Sequence, residues 1–108
     1  MKKFKKNDFE KMKQKRTNRN FYSMLTLYSS KKEEEVKVGL IITKKSGKAV
    51  YRNRIRRIVQ EFFRENEKKI TKKEYLLIFK KNKILNIKDT EKELYDILEK
   101  IKNTNSLK

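Results

Sequence analysis

Residues 44–64 read KKSGKAVYRNRIRRIVQEFFR, and their periodicity decides what must surround them. At roughly 100° per residue, Tyr51, Ile55, Ile58, Val59, Phe62 and Phe63 fall on one stripe of a helix that starts at Lys48. Asn53, Arg56, Arg57, Gln60 and Arg64 fall opposite, while Arg52 and Arg54 flank the stripe on its two sides. Such a helix buries one face on a neighbouring layer and turns a basic face outward. Of seven arginines in the chain, five (Arg52, Arg54, Arg56, Arg57, Arg64) lie in this stretch, and the others are Arg16 and Arg19. Lysine is spread throughout, so general basicity does not account for the clustering. Arginine offers a planar fork of donors that matches phosphate and stacks on bases, whereas lysine is a point charge. The stretch is the first candidate for a nucleic-acid contact.

Upstream, residues 36–43 (VKVGLIIT) alternate as a strand, with Val36, Val38, Leu40 and Ile42 on one face and Lys37, Gly39, Ile41 and Thr43 on the other. Gly47, between strand and helix, suits a positive φ or a close approach. Residues 21–28 (FYSMLTLY) also read as one strand, rich in aromatic and hydroxyl side chains. Phe21, Ser23, Leu25 and Leu27 would face the core, and Tyr22, Met24, Thr26 and Tyr28 would form a second face turned to solvent or ligand. The polar run at 29–35 then reads as a hairpin loop joining the two strands. Near the N-terminus, Asn7 or Asp8 caps a short helix carrying Phe9 and Met12 on one side. Phe9 has two readings, an anchor holding that helix to the domain or a stacking platform beside a nucleic-acid groove. Downstream, the short apolar run YLLIF (75–79) predicts a strand buried in the sheet, with Lys80, Lys81 and Lys83 adding charge where it emerges. Thr90 followed by Glu93 is a capping-box pattern. Leu94, Ile97, Leu98 and Ile101 behind it predict a final amphipathic helix.

The 108 residues suit one domain with one core, and residues 1–6 and 103–108 are expected to fray. A formal charge of +18 calls for a polyanion: RNA, DNA or an anionic membrane surface. The tyrosine-bearing sheet face favours RNA, whose unpaired bases can stack on it. The sequence has no histidine and no cysteine, which removes the commonest metal ligand and general base and any thiolate site. Its three aspartates, Asp8, Asp89 and Asp96, are dispersed, so no paired-carboxylate centre is expected. No apolar run reaches the roughly 18 residues of a membrane span, and a cytoplasmic location is expected.

The segment KVGLIITKKSGKAVYRNRIRRIVQEFF resembles the bacterial ribonuclease P protein components. The match runs in register through Val38, Gly39 and Leu40, then Lys44, Lys45, Gly47, Ala49 and Val50, then Arg52, Asn53, Arg54, Ile55 and Arg57. Asn18, Arg19 and Phe21 look like the motif opening that family's first long strand. The resemblance is strong over 36–64 and looser over the rest of the chain. It implies an α+β fold, a single-domain α/β sandwich ordered αβββαβα, with a four-stranded sheet and the RNR helix in a left-handed crossover.

The resemblance also implies a subunit of an endoribonuclease in which RNA is the catalyst and the protein supplies no catalytic residue. Its partners would be the catalytic RNA subunit and the 5′ leader of precursor tRNA, with no membrane, haem or nucleotide cofactor. Magnesium would be held by the RNA partner and substrate, and no metal by the protein. Carried over by position, Lys44, Lys45, Arg52, Asn53, Arg54, Arg56 and Arg57 would bind RNA, and the basic residues Lys48, Arg64 and Arg19 are expected to join them. Phe9, Tyr22, Met24 and Tyr28 would line the leader cleft. Departures from the family pattern include Met12 and Lys13 where a second cleft aromatic is usual, Met24 for a tyrosine, Gln60 for a basic residue and Lys48 for asparagine. Ile41 and Phe79 stand where smaller residues are usual. The competing function is a general or ribosome-associated RNA-binding protein that shows no preference for a leader. A cationic membrane-surface protein is a third reading, but the apolar stripes are needed for the core.

Overall fold

The apolar run at 75–79 takes the centre of the sheet. In the computed structural model, which describes residues 2–14, 18–43, 48–80 and 87–106, it forms β5 (Glu74–Phe79). A strand apolar on both faces needs a neighbour on each edge and a layer on each side. β3 (Leu25–Ser29) pairs with it antiparallel and β4 (Lys37–Ile42) pairs with it parallel. The parallel neighbours are connected through α2 (Ala49–Asn66), the helix expected from the arginine-rich stretch. Around these lie β1 (Lys2–Lys3), α1 (Lys6–Gln14), β2 (Asn18–Phe21) and α3 (Ile87–Thr104). The sheet runs β1-β4-β5-β3-β2. The mixed α+β class and the order αβββαβα from α1 onward match expectation.

Several expectations are corrected. The sheet has five strands rather than four, because Lys2–Lys3, in a segment expected to fray, adds β1 to the edge of β4. Lys2 N donates to Val36 O and Phe4 N to Val38 O, both at 3.0 Å, so the edge of β4 gains hydrogen-bonded cover. Residues 29–35 are not a hairpin loop between the strands they join, since β5 lies between β3 and β4. The connection is instead tied to β5: Ser30 N donates to Glu74 O at 3.1 Å, and Glu74 N donates to Ser30 Oγ at 2.9 Å. Residues 21–28 form two strands' ends and a turn, with Phe21 opposite Thr26 and Tyr22 N donating to Leu25 O at 2.9 Å.

One face of the sheet and the two long helices enclose the core. Leu25, Leu27, Val38, Ile42, Tyr75, Leu77 and Phe79 meet Ile55, Ile58, Val59, Phe62 and Phe63 of α2 and Leu94, Ile97, Leu98 and Ile101 of α3. Each fully buried aliphatic side chain contributes roughly 1.5–3 kcal/mol. The helix stripe predicted for α2 is the buried one, and Tyr51 packs half-buried at its end. Helix α3 starts at Ile87, before the expected cap, so Thr90 lies inside it and is buried on the same stripe as Leu94. The other end of α3 is held as well. Asn105 is buried, its carbonyl accepts from Thr71 N at 2.7 Å, its Oδ1 accepts from Lys73 Nζ at 3.1 Å, and Ser106 bridges to Ile70. These bonds tie down Asn105 and Ser106, within the segment 103–108 expected to fray. Tyr75 is fully buried, and its hydroxyl donates to Thr71 O at 2.5 Å. Burial pushes its pKa up to about 12.

Candidate nucleic-acid interface

The outward face of α2 supplies the first half of the candidate interface. Lys48 stands at its N-cap with no side-chain cap, and no acidic residue occupies the first turn. The helix N-terminus therefore adds its partial positive charge to the side chains around it. Asn53, Arg57 and Arg64 are exposed. Arg56 is half-buried, and its Nη1 donates to Asn53 Oδ1 at 3.3 Å, which fixes two members of the face relative to each other. The flanking residues have different fates. Arg54 leans to α3 and forms an ion pair with Glu91, with a second contact from Nη2 to Oε2 at 3.4 Å. Arg52 is half-buried, and its Nε is enclosed with no hydrogen-bond partner among the described residues. Lys44 and Lys45 lie outside the described residues.

The second half is an apolar groove on the sheet face opposite the core, with a volume of about 300 Å³. Its lining is Phe9, Met12, Tyr28, Ile41, Leu76 and Ile78. The strand register explains the floor: Ile41 pairs with Ile78, and Tyr28 with Leu76, so these side chains share one face. Helix α1 forms the wall. Its start is fixed by Asp8, whose Oδ2 accepts from Lys5 N at 2.8 Å and whose Oδ1 lies 3.7 Å from Lys37 Nζ. The Lys5 backbone bond, together with nearby lysines and against the cost of burial, holds the Asp8 carboxyl below the usual range. Asp8 thus caps from the third helical position, reaching back, rather than preceding the helix.

Phe9 joins the two halves. Besides lining the groove, it lines a second cleft with Lys3, Phe4, Gly39, Arg56 and Gln60, beside α2. Phe4 packs edge-on against it, with ring centroids 5.2 Å apart. Phe4 can sit there only because residue 39 is glycine: a Cβ would come within 2.5–3.0 Å of Phe4 atoms. The glycine in the VGL segment therefore serves close approach.

Two of the residues expected in the groove are elsewhere. Met24 is 2% exposed and belongs to the core, and Tyr22 packs half-buried against that same core. Burial raises the Tyr22 pKa, partly offset by a hydrogen bond with Asn20. The turn at 22–24 interrupts the two-residue alternation, so the face deduced for Tyr28 does not extend back to them. Phe21, expected in the core, is 64% exposed. Arg19 is exposed opposite Tyr28, with its guanidinium 5.1 Å from the Phe21 ring centroid.

Residues 3–102 match the family described as Ribonuclease P. The chain belongs to the ribonuclease P protein family. The ribonuclease P protein component of Bacillus velezensis is 34% identical over 100 residues, covering 89% of this chain and 84% of its own length. That of Geotalea uraniireducens is 31% identical over 78 residues, covering 71% and 69%. The ribonuclease P protein of Staphylococcus aureus shares the fold with a TM-score of 0.75, covering 94% of this chain and 95% of its own, at 24% identity. The Thermotoga maritima protein shares it with a TM-score of 0.70, covering 93% and 97%, at 19% identity.

The groove residues not expected from the sequence are Met12, Ile41, Leu76 and Ile78, with Phe4 beside them. A continuous apolar strand signals that both faces are covered, and in YLLIF every second residue had to serve the face away from the helices. Among the described residues, no cluster of three or more acidic side chains could hold a metal ion, and no helix is long and apolar enough to cross a membrane.

Proposed function

We propose that this chain is the protein subunit of ribonuclease P in tRNA processing, binding the RNA subunit with the outward face of α2 and the 5′ leader of precursor tRNA in the groove. One observation carries the reading: Phe9 lines both the apolar groove on the sheet and the adjoining cleft that reaches Arg56 and Gln60 on the basic helix α2. Unpaired bases can stack on apolar and aromatic side chains, while bases in a duplex have their faces covered. The groove therefore selects a single strand. The arginines of α2 take phosphates through charge-assisted, often bidentate bonds, and the affinity they supply falls as salt rises.

In this reading the chemistry of cleavage belongs to the RNA, with magnesium held by the RNA and the substrate. The protein binds and orients. It raises affinity for precursor over product because only the precursor carries a leader to fill the groove.

The test compares cleavage of precursor tRNA by ribonuclease P RNA at low magnesium with and without the protein. Stimulation of cleavage, together with tighter binding of precursor than of mature tRNA, is expected. Absence of stimulation overturns the reading. Stimulated binding of every RNA alike, without preference for the leader, would instead identify a general RNA-binding protein.

A further inference from the structure

The groove floor does not stop where its α1 wall stops. Ile41 pairs with Ile78, Ile78 with Thr26, and Thr26 with Phe21, so one row of side chains crosses the sheet from β4 to the edge strand β2. Beside it runs a second row, Gly39, Leu76, Tyr28 and Arg19. Three inter-strand steps at roughly 4.8 Å make each row about 14 Å long. At the β2 end stands Phe21, 64% exposed. Two cations attend it, Arg19 at 5.1 Å and Lys80 Nζ at 5.4 Å from the ring centroid. Strand β2 (Asn18–Phe21) contributes no carboxylate, and all four of its residues are exposed.

A large aromatic ring at an exposed sheet edge, in line with an apolar floor and flanked by positive charge, has the chemistry of a nucleotide subsite. The ring offers a surface to a base, and the cations offer partners to the adjoining phosphates. On the reading of the groove given above, we infer that Phe21 is a stacking platform for a further nucleotide of the leader, with Arg19 and Lys80 neutralising the phosphates on either side. The single strand then runs from the Phe9 wall toward β2, passing over the buried Thr26 to reach Phe21.

The experiment uses the full chain assembled with ribonuclease P RNA and measures binding of precursor and mature tRNA. Phe21→Ala is expected to weaken precursor binding about fivefold or more, the scale of one base–aromatic stack. It should leave mature tRNA binding unchanged. Phe21→Tyr should retain affinity, and Phe21→Leu, which keeps bulk but loses the ring, should not. Arg19→Ala and Lys80→Ala should each reduce the salt slope of precursor binding by about one. Circular dichroism and a thermal melt should be unchanged for each variant, as the exposure of Phe21 requires.

Unchanged precursor affinity in Phe21→Ala, with Phe9→Ala weakened, overturns this subsite and leaves the groove standing. Equal losses for precursor and mature tRNA also overturn it, since the contact would not be with the leader. If the unmodified protein shows no preference for precursor, the groove reading itself fails and the subsite falls with it.

Discussion

The two faces of the sheet use the same strands for opposite ends. Leu25, Leu27, Tyr75, Leu77 and Phe79 point into a core sealed by α2 and α3. Tyr28, Leu76 and Ile78, from the same two strands, floor a groove that is walled, among the described residues, by the short helix α1. One layer of backbone thus carries a closed apolar surface and an accessible one. Changes on the first should be read in stability, and changes on the second in binding.

The largest effect should come from the closed face. Leu77→Ala, at a fully buried site in the central strand, should cost about 2–5 kcal/mol, measured by denaturant unfolding. A cost below 1 kcal/mol would mean that the core is not sealed there. Gly39→Ala lies on the open face but forces Phe4 aside, so it should cost about 1–3 kcal/mol and also weaken precursor binding by moving Phe9. If stability falls while precursor affinity stays constant, Phe9 is not positioned through Phe4.

Phe9→Ala should lose about 1–3 kcal/mol of precursor binding with little change for mature tRNA, as measured by titration of each RNA. Equal losses would make Phe9 a packing anchor. Tyr75 sharpens the closed side through pH. Its folded pKa of about 12 exceeds its ordinary value of 10.0, so the neutral hydroxyl is the form that the fold holds. Its contribution is fully present below pH 10 and is lost as pH rises from 10 toward 12, a change of about 2–3 kcal/mol. Tyr75→Phe should therefore flatten the alkaline limb of a stability–pH curve relative to the unmodified chain. An unchanged limb would show that the hydroxyl titrates freely.

The smallest effect belongs to the exposed helix face. Arg57→Ala should leave the melting temperature within about 2 °C and reduce the salt slope of RNA binding by about one. A melting shift of several degrees would make Arg57 structural.

The legibility of these regions in sequence follows their physics. Helix α2 could be read on both sides because its apolar stripe persists through five turns, and a residue or two of error at its start moves no side chain to another face. Residues 21–28 could not be read in the same way. A two-residue period reverses with each inserted residue, and the turn at Tyr22, Ser23 and Met24 contains no glycine, proline or asparagine to mark it. Ser23 is instead tied to Glu93 of α3, a partner 70 positions away. The order of the strands was hidden for a similar reason: nothing local says that β5 enters between β3 and β4. For the interface, clustered arginines were visible in the sequence, but the loss of Arg54 to Glu91 and the doubling of Phe9 as a shared wall needed the fold.

The groove's one-sided wall has a topological consequence. A tunnel must be threaded from a chain end, whereas a channel open along its length admits a strand sideways. Among the described residues, α1 stands beside one part of the floor and the four residues of β2 at the other end are exposed, so on the reading proposed above a leader can be laid in from the side. Capture then needs no free 5′ terminus near the protein, and the time taken to bind should be nearly independent of how much transcript lies upstream.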